Sequence, residues 1–136
     1  MMPSTAISFD TRQARRLLAC NAVFTGACAL PMVLAGGAVA RALLGTDDRS
    51  VIVTAVGVAL LGYAAVLSFA RAQPAAKMRR WLLAFSAADA LWVLGTVLLL
   101  TTMPAAFTPT GRAAAALIAA IVGWFGLNQV RLGMGR

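Results

Sequence analysis

The chain has 136 residues, 61% of them hydrophobic and 12% charged, and its mean hydropathy of +0.85 lies far above that of a soluble globular domain. Twelve Lys and Arg stand against four acidic residues, giving a formal net charge of +8, and the chain contains neither histidine nor glutamate. Those absences remove histidine metal ligands, a Ser/His/Asp triad, a histidine-ligated haem and a glutamate pair from the possible chemistries, and the composition reads as an all-α integral membrane protein.

Four apolar stretches are each long enough to cross a hydrocarbon core, which takes about 20 helical residues at about 1.5 Å rise. The first, Leu17 to Leu44, follows a short N-terminal segment (1–16) carrying Arg12, Arg15 and Arg16. Pro31 lies near its middle, where the missing N–H frees the carbonyl of Ala27 and predicts a kink, with Gly36 and Gly37 following. Asn21, Thr25 and Cys28 share one face of this span at spacings of four and three. The run also reaches the small-residue triplet Ala38, Val39, Ala40, as a signal peptide would, but a cleavable core is about 7–15 residues long, so the run is read as a span.

The second stretch, Val51 to Arg71, carries Tyr63 and the small residues Ala55 and Ala59. The third, Trp81 to Met103, opens on a tryptophan beside Arg79 and Arg80, an interfacial anchor, and contains Asp89 and Trp92. The fourth, Arg112 to Leu132, holds Trp124, Asn128 and a small-xxx-small ladder of Ala115, Ala119 and Gly123 that suits close helix packing. The connections 45–50, 72–80 and 104–111 are short and hold turn formers or charge. The whole chain is therefore one membrane domain, a four-helix antiparallel up-and-down bundle.

Cationic residues gather at the ends of the runs rather than on one solvated face, which argues for orientation and lipid headgroup contact and against a nucleic-acid partner. Arg12, Arg15, Arg16, Arg71, Lys77, Arg79, Arg80, Arg131 and Arg136 fall on one side; Arg41, Arg49 and Arg112 fall on the other, with Asp47 and Asp48. The positive-inside rule then places both termini in the cytoplasm.

Asp89 is the only acid inside a span. An intramembrane carboxylate costs at least ~2.5 kcal/mol on insertion scales, so it faces the bundle interior and marks either a pathway or a structural bond. Helical spacing puts Phe85 or Ser86, Asp89, Trp92 and Thr96 on one inward face. Counting residues from the span ends brings Asn21, Tyr63, Asp89, Trp124 and Asn128 to similar depths in the cytoplasmic half, and with Trp92 these form a candidate polar cluster, read as a small amphiphilic pocket open toward the cytoplasm. The alternative is packing alone, with Asp89 bonded to Tyr63, Asn21 or Trp124, or to an arginine such as Arg16 or Arg71 reaching from the interface, and fixing helix register. Cys20 and Cys28 have no metal-ligand spacing and read as small apolar residues, so neither a metal nor a cofactor is expected.

The segments Asn21-Ala22-Val23-Phe24-Thr25-Gly26 and Ala88-Asp89-Ala90-Leu91-Trp92-Val93-Leu94-Gly95, with the hydropathy plan of the whole chain, resemble a group of small four-helix bacterial inner-membrane proteins. That resemblance implies a fold rather than an activity. Small multidrug-resistance transporters are similar in plan but use a glutamate in the first span, which this chain lacks, and DoxX-like proteins share only the helix count.

Together these features favour a non-enzymatic inner-membrane protein, an accessory or structural subunit that packs on other membrane subunits or on copies of itself. The other reading is a small proton- or cation-coupled transporter or hydrophobic-ligand binder, acting as a homo-oligomer through Asp89, with Tyr63, Trp92 and Trp124 touching substrate.

Overall fold

A computed structural model describes residues 9–135, so residues 1–8 of the N-terminal segment and Arg136 lie outside it. The described chain is helical: α1 (Thr11–Leu34), α2 (Gly36–Leu44), α3 (Ser50–Arg71), α4 (Ala75–Thr102) and α5 (Pro109–Met134), with a single 3-10 turn, Pro104–Ala106. Four of these helices, α1, α3, α4 and α5, are long and apolar enough to cross a membrane.

Helix ends follow local chemistry. Asp10 caps α1, its carboxylate accepting the backbone N–H of Gln13 at 3.0 Å, so the arginine-bearing turns before Leu17 are helical. Thr108 caps α5 in the same way through Gly111, and Pro109 occupies its first position, where no backbone donor is lost. Gly45 ends α2 with a φ of 74° in the left-handed region. The connection between α3 and α4 is shorter than the expected 72–80: helix resumes at Ala75 after Pro74, and Lys77, Arg79 and Arg80 ride on its first turns.

The first span is divided, but not at Pro31. Helix continues three residues past the proline and breaks at Ala35 (φ −140°, ψ 41°), whose N–H still bonds the Pro31 carbonyl at 2.9 Å. Helix is thus interrupted one turn beyond Pro31, at Ala35, just ahead of Gly36 and Gly37, whose helix propensity is low. Gly36 also has a packing reason to be glycine, since a Cβ there would run into the Thr54 hydroxyl on α3 and lie 3.2 Å from the Ser50 carbonyl oxygen.

Packing joins the helices as two pairs. In the first, α1 lies along α3, with Gly57 admitting Met32, Val33 and the Ala29 carbonyl. In the second, α4 lies along α5, with Gly126 beneath Asp89 and Gly133 beneath Leu83, one heptad apart. The expected ladder is engaged only in part: Ala119 is buried, while Ala115 and Gly123 are half-buried.

The pairs meet tightly at one end, here termed the arginine end, where α1 begins, α3 ends, α4 begins and α5 ends. Ala14, Leu18, Leu67, Met78, Leu82 and Phe85 form a closed apolar core there. An aromatic series runs through it, with Phe69 edge-on to Trp81, Trp81 stacked on Phe85 and Phe85 edge-on to Tyr63. At the opposite end α2 straps the pairs together, as Thr108 donates its N–H to the Leu43 carbonyl at 2.9 Å and its hydroxyl to the Ala42 carbonyl at 2.6 Å.

Candidate functional site

Between the arginine-end core and the α2 strap the two pairs stand apart. Asp89 marks the boundary: it is 3% exposed and accepts the Tyr63 hydroxyl at 2.8 Å on one oxygen and the Asn21 amide at 3.2 Å on the other. Thr25, one turn beyond Asn21, donates to the Asn21 amide oxygen at 3.2 Å. Asn21 and Thr25 come from α1, Tyr63 from α3 and Asp89 from α4, so a single carboxylate ties three helices. Burying it without such donors would cost several kcal/mol.

The fourth helix adds a residue the sequence reading passed over. Gln129 of α5 is fully buried beside the same carboxyl group, and neither its amide nitrogen nor its amide oxygen has a hydrogen-bond partner among the described residues. Its chain neighbour Asn128 was the expected member of the cluster. Instead Asn128 bonds the Trp124 carbonyl of its own helix at 2.7 Å, and Trp124 is 57% exposed. One residue step turns a helix by about 100°, so equal depth did not mean equal direction. Asn21, Tyr63 and Asp89 converge; Trp124 and Asn128 do not.

Asp89 and Tyr63 form the polar end of a cavity of about 310 Å³, whose other walls include Phe24, Thr25, Cys28 and Trp92. A second cavity of about 340 Å³ continues toward the α2 strap and shares Cys28, Leu60, Trp92 and Ile118 with the first. Its own walls are almost wholly apolar, among them Pro31, Met32, Leu43 and Phe107. Among the described residues the arginine end, expected to be the cytoplasmic and open side of Asp89, is packed with Leu18, Leu67, Leu82 and Phe85. The space extends the other way.

It also opens sideways. The wall residues Ala59 of α3 and Ala88 and Trp92 of α4 are exposed, whereas those of α1 and α5 are buried or half-buried. The α1–α5 side is closed by Phe24 against Phe125, ring centres 5.9 Å apart. Trp92, expected within the polar cluster, makes no hydrogen bond to Asp89 among the described residues and lines both cavities.

No described group of side chains could hold a metal ion. Cys28 lies on the cavity wall and Cys20 on the outer surface, as isolated thiols. The arrangement can place a hydrogen-bonding or charged head against Asp89 and apolar mass along the shared cavities. No match is found for this chain among protein-family models, curated proteins or solved structures.

Proposed function

We propose that this is a multi-pass protein of the bacterial inner membrane, with four antiparallel spans and both termini in the cytoplasm, that holds an apolar or amphipathic small molecule between its two helix pairs without chemistry of its own. The observation that carries the reading is the pair of adjacent, mainly apolar cavities that share Cys28, Leu60, Trp92 and Ile118, the first of them lined also by Asp89 and Tyr63. Each falls at the lower end of the ~300–1,000 Å³ range of small-molecule sites, and predominantly apolar walls with few convergent polar groups are the usual make-up of such sites. The orientation rests on the arginine-end cations and the positive-inside rule.

Mass spectrometry of the intact particle released from its own membrane tests this. The expected result is a small apolar molecule retained by the wild type and lost from Ala59→Trp, which fills the cavity mouth while circular dichroism shows the helices intact. A wild-type particle that carries no small molecule sinks the proposal.

The accessory-subunit reading is the second candidate, favoured by the internal use of Asp89: both of its oxygens already accept bonds from neighbouring helices, as a purely structural tie would. A stoichiometric foreign subunit in the same mass measurement would establish it.

A further inference from the structure

Among the described residues Asp89 has hydrogen bonds but no counter-charge. Its partners, Tyr63 and Asn21, are neutral, and the only ion pair among the described residues joins Arg41 to Asp47 in the exposed region between α2 and α3. The described lysine and arginine side chains are exposed and stand near the helix ends. Two neutral donors leave each carboxylate oxygen a second acceptor direction, and Asp89 lines the cavity wall. Beside it, Tyr63 and Trp92 line the same cavity, and aromatic rings attract cations within about 6 Å of their faces. Among the described residues no cationic side chain lines either cavity, so the walls offer an acidic head group no counter-charge.

We propose that the occupant of these cavities is a cationic amphiphile, a protonated amine on an apolar tail, with its ammonium group on Asp89 between Tyr63 and Trp92 and its tail running toward Phe107 and the α2 strap. This inference rests on the small-molecule reading above and specifies the ligand's charge and direction. An ammonium ion supplies the charge-assisted hydrogen bond and the compensating charge that neutral neighbours cannot.

The test is a head-group series on one tail: tritiated dodecylamine bound to the protein in phosphatidylcholine nanodiscs, with protein-free nanodiscs as background, competed by dodecanol, dodecanoic acid and dodecane. The amine is expected to bind about tenfold more tightly than the alcohol or the alkane, the factor given by ~1.4 kcal/mol, with the acid weakest. Asp89→Asn should lower amine affinity to the level of the alkane. Ala59→Trp, which leaves the carboxylate in place, should abolish binding of every probe.

If the four probes bind alike to the wild type, the cationic assignment is overturned and the apolar cavity stands. If none binds above background, the small-molecule reading itself falls. The wild-type series decides between these outcomes whether or not Asp89→Asn folds.

Discussion

Asp89 brings a carboxylate into a helix whose neighbouring positions are apolar, and three other side chains are arranged around that fact. Interhelical hydrogen bonds within bilayers average about 0.6 kcal/mol and reach about 1.7. A double-mutant cycle of Tyr63→Phe and Asp89→Asn, read by reversible unfolding in mixed micelles, should therefore give a coupling in that range. Asp89→Leu should cost more, ~1–3 kcal/mol, because it strands the Tyr63 hydroxyl and the Asn21 amide without an acceptor. Gln129→Met should act in the opposite direction. It replaces a buried amide that has no hydrogen-bond partner within bonding distance among the described residues by an apolar side chain of similar length, and a gain of about 1 kcal/mol in the same assay is expected; a loss would show that the amide bonds the Asp89 carboxyl group beside it.

At the scale of the helices, close approach sets what each position tolerates. A Cβ on Gly111 would collide with the backbone of Leu43 where the α2 strap meets α5, whereas one on Gly62 meets nothing within 4 Å. Gly111→Ala should thus destabilise by ~1–3 kcal/mol, and Gly62→Ala should stabilise by ~0.5–1 kcal/mol through the backbone entropy of glycine; thermal melting of the two variants side by side checks the contrast.

The four long helices were legible in the hydropathy pattern because each apolar run exceeds the length of a span. Their ends were not. Asp10 extends α1 to Thr11 and Pro74 lets α4 begin at Ala75, since arginines and lysines are good helix formers once a cap is in place. The break in the first span falls at Ala35, ahead of the weak helix formers Gly36 and Gly37, where Gly36 comes close to α3. In the site, sequence supplied depth but not direction around the axis. That limit admitted Asn128 and Trp124, missed Gln129, and left the lateral opening between α3 and α4 unseen.

For the whole molecule, the proposed orientation, with the arginine end in the cytoplasm and the α2 strap outside, is one that labelling can read. In a Cys20→Ser, Cys28→Ser background, Ala72→Cys between α3 and α4 and Thr110→Cys at the start of α5 are both exposed positions at opposite ends. A membrane-impermeant maleimide should modify the Thr110→Cys protein in intact spheroplasts and the Ala72→Cys protein only after permeabilisation. The reverse pattern would invert the topology.

In the proposed four-span arrangement the side window between α3 and α4, bordered by Ala59, Ala88 and Trp92, would face hydrocarbon. A molecule that arrives there leaves one oily phase for another, so its occupancy follows its mole fraction among the lipids rather than its aqueous concentration. Fusing protein-bearing vesicles with empty ones should then unload the protein with nothing removed from the water, and an aqueous titration would report the partition coefficient of the molecule as much as its fit.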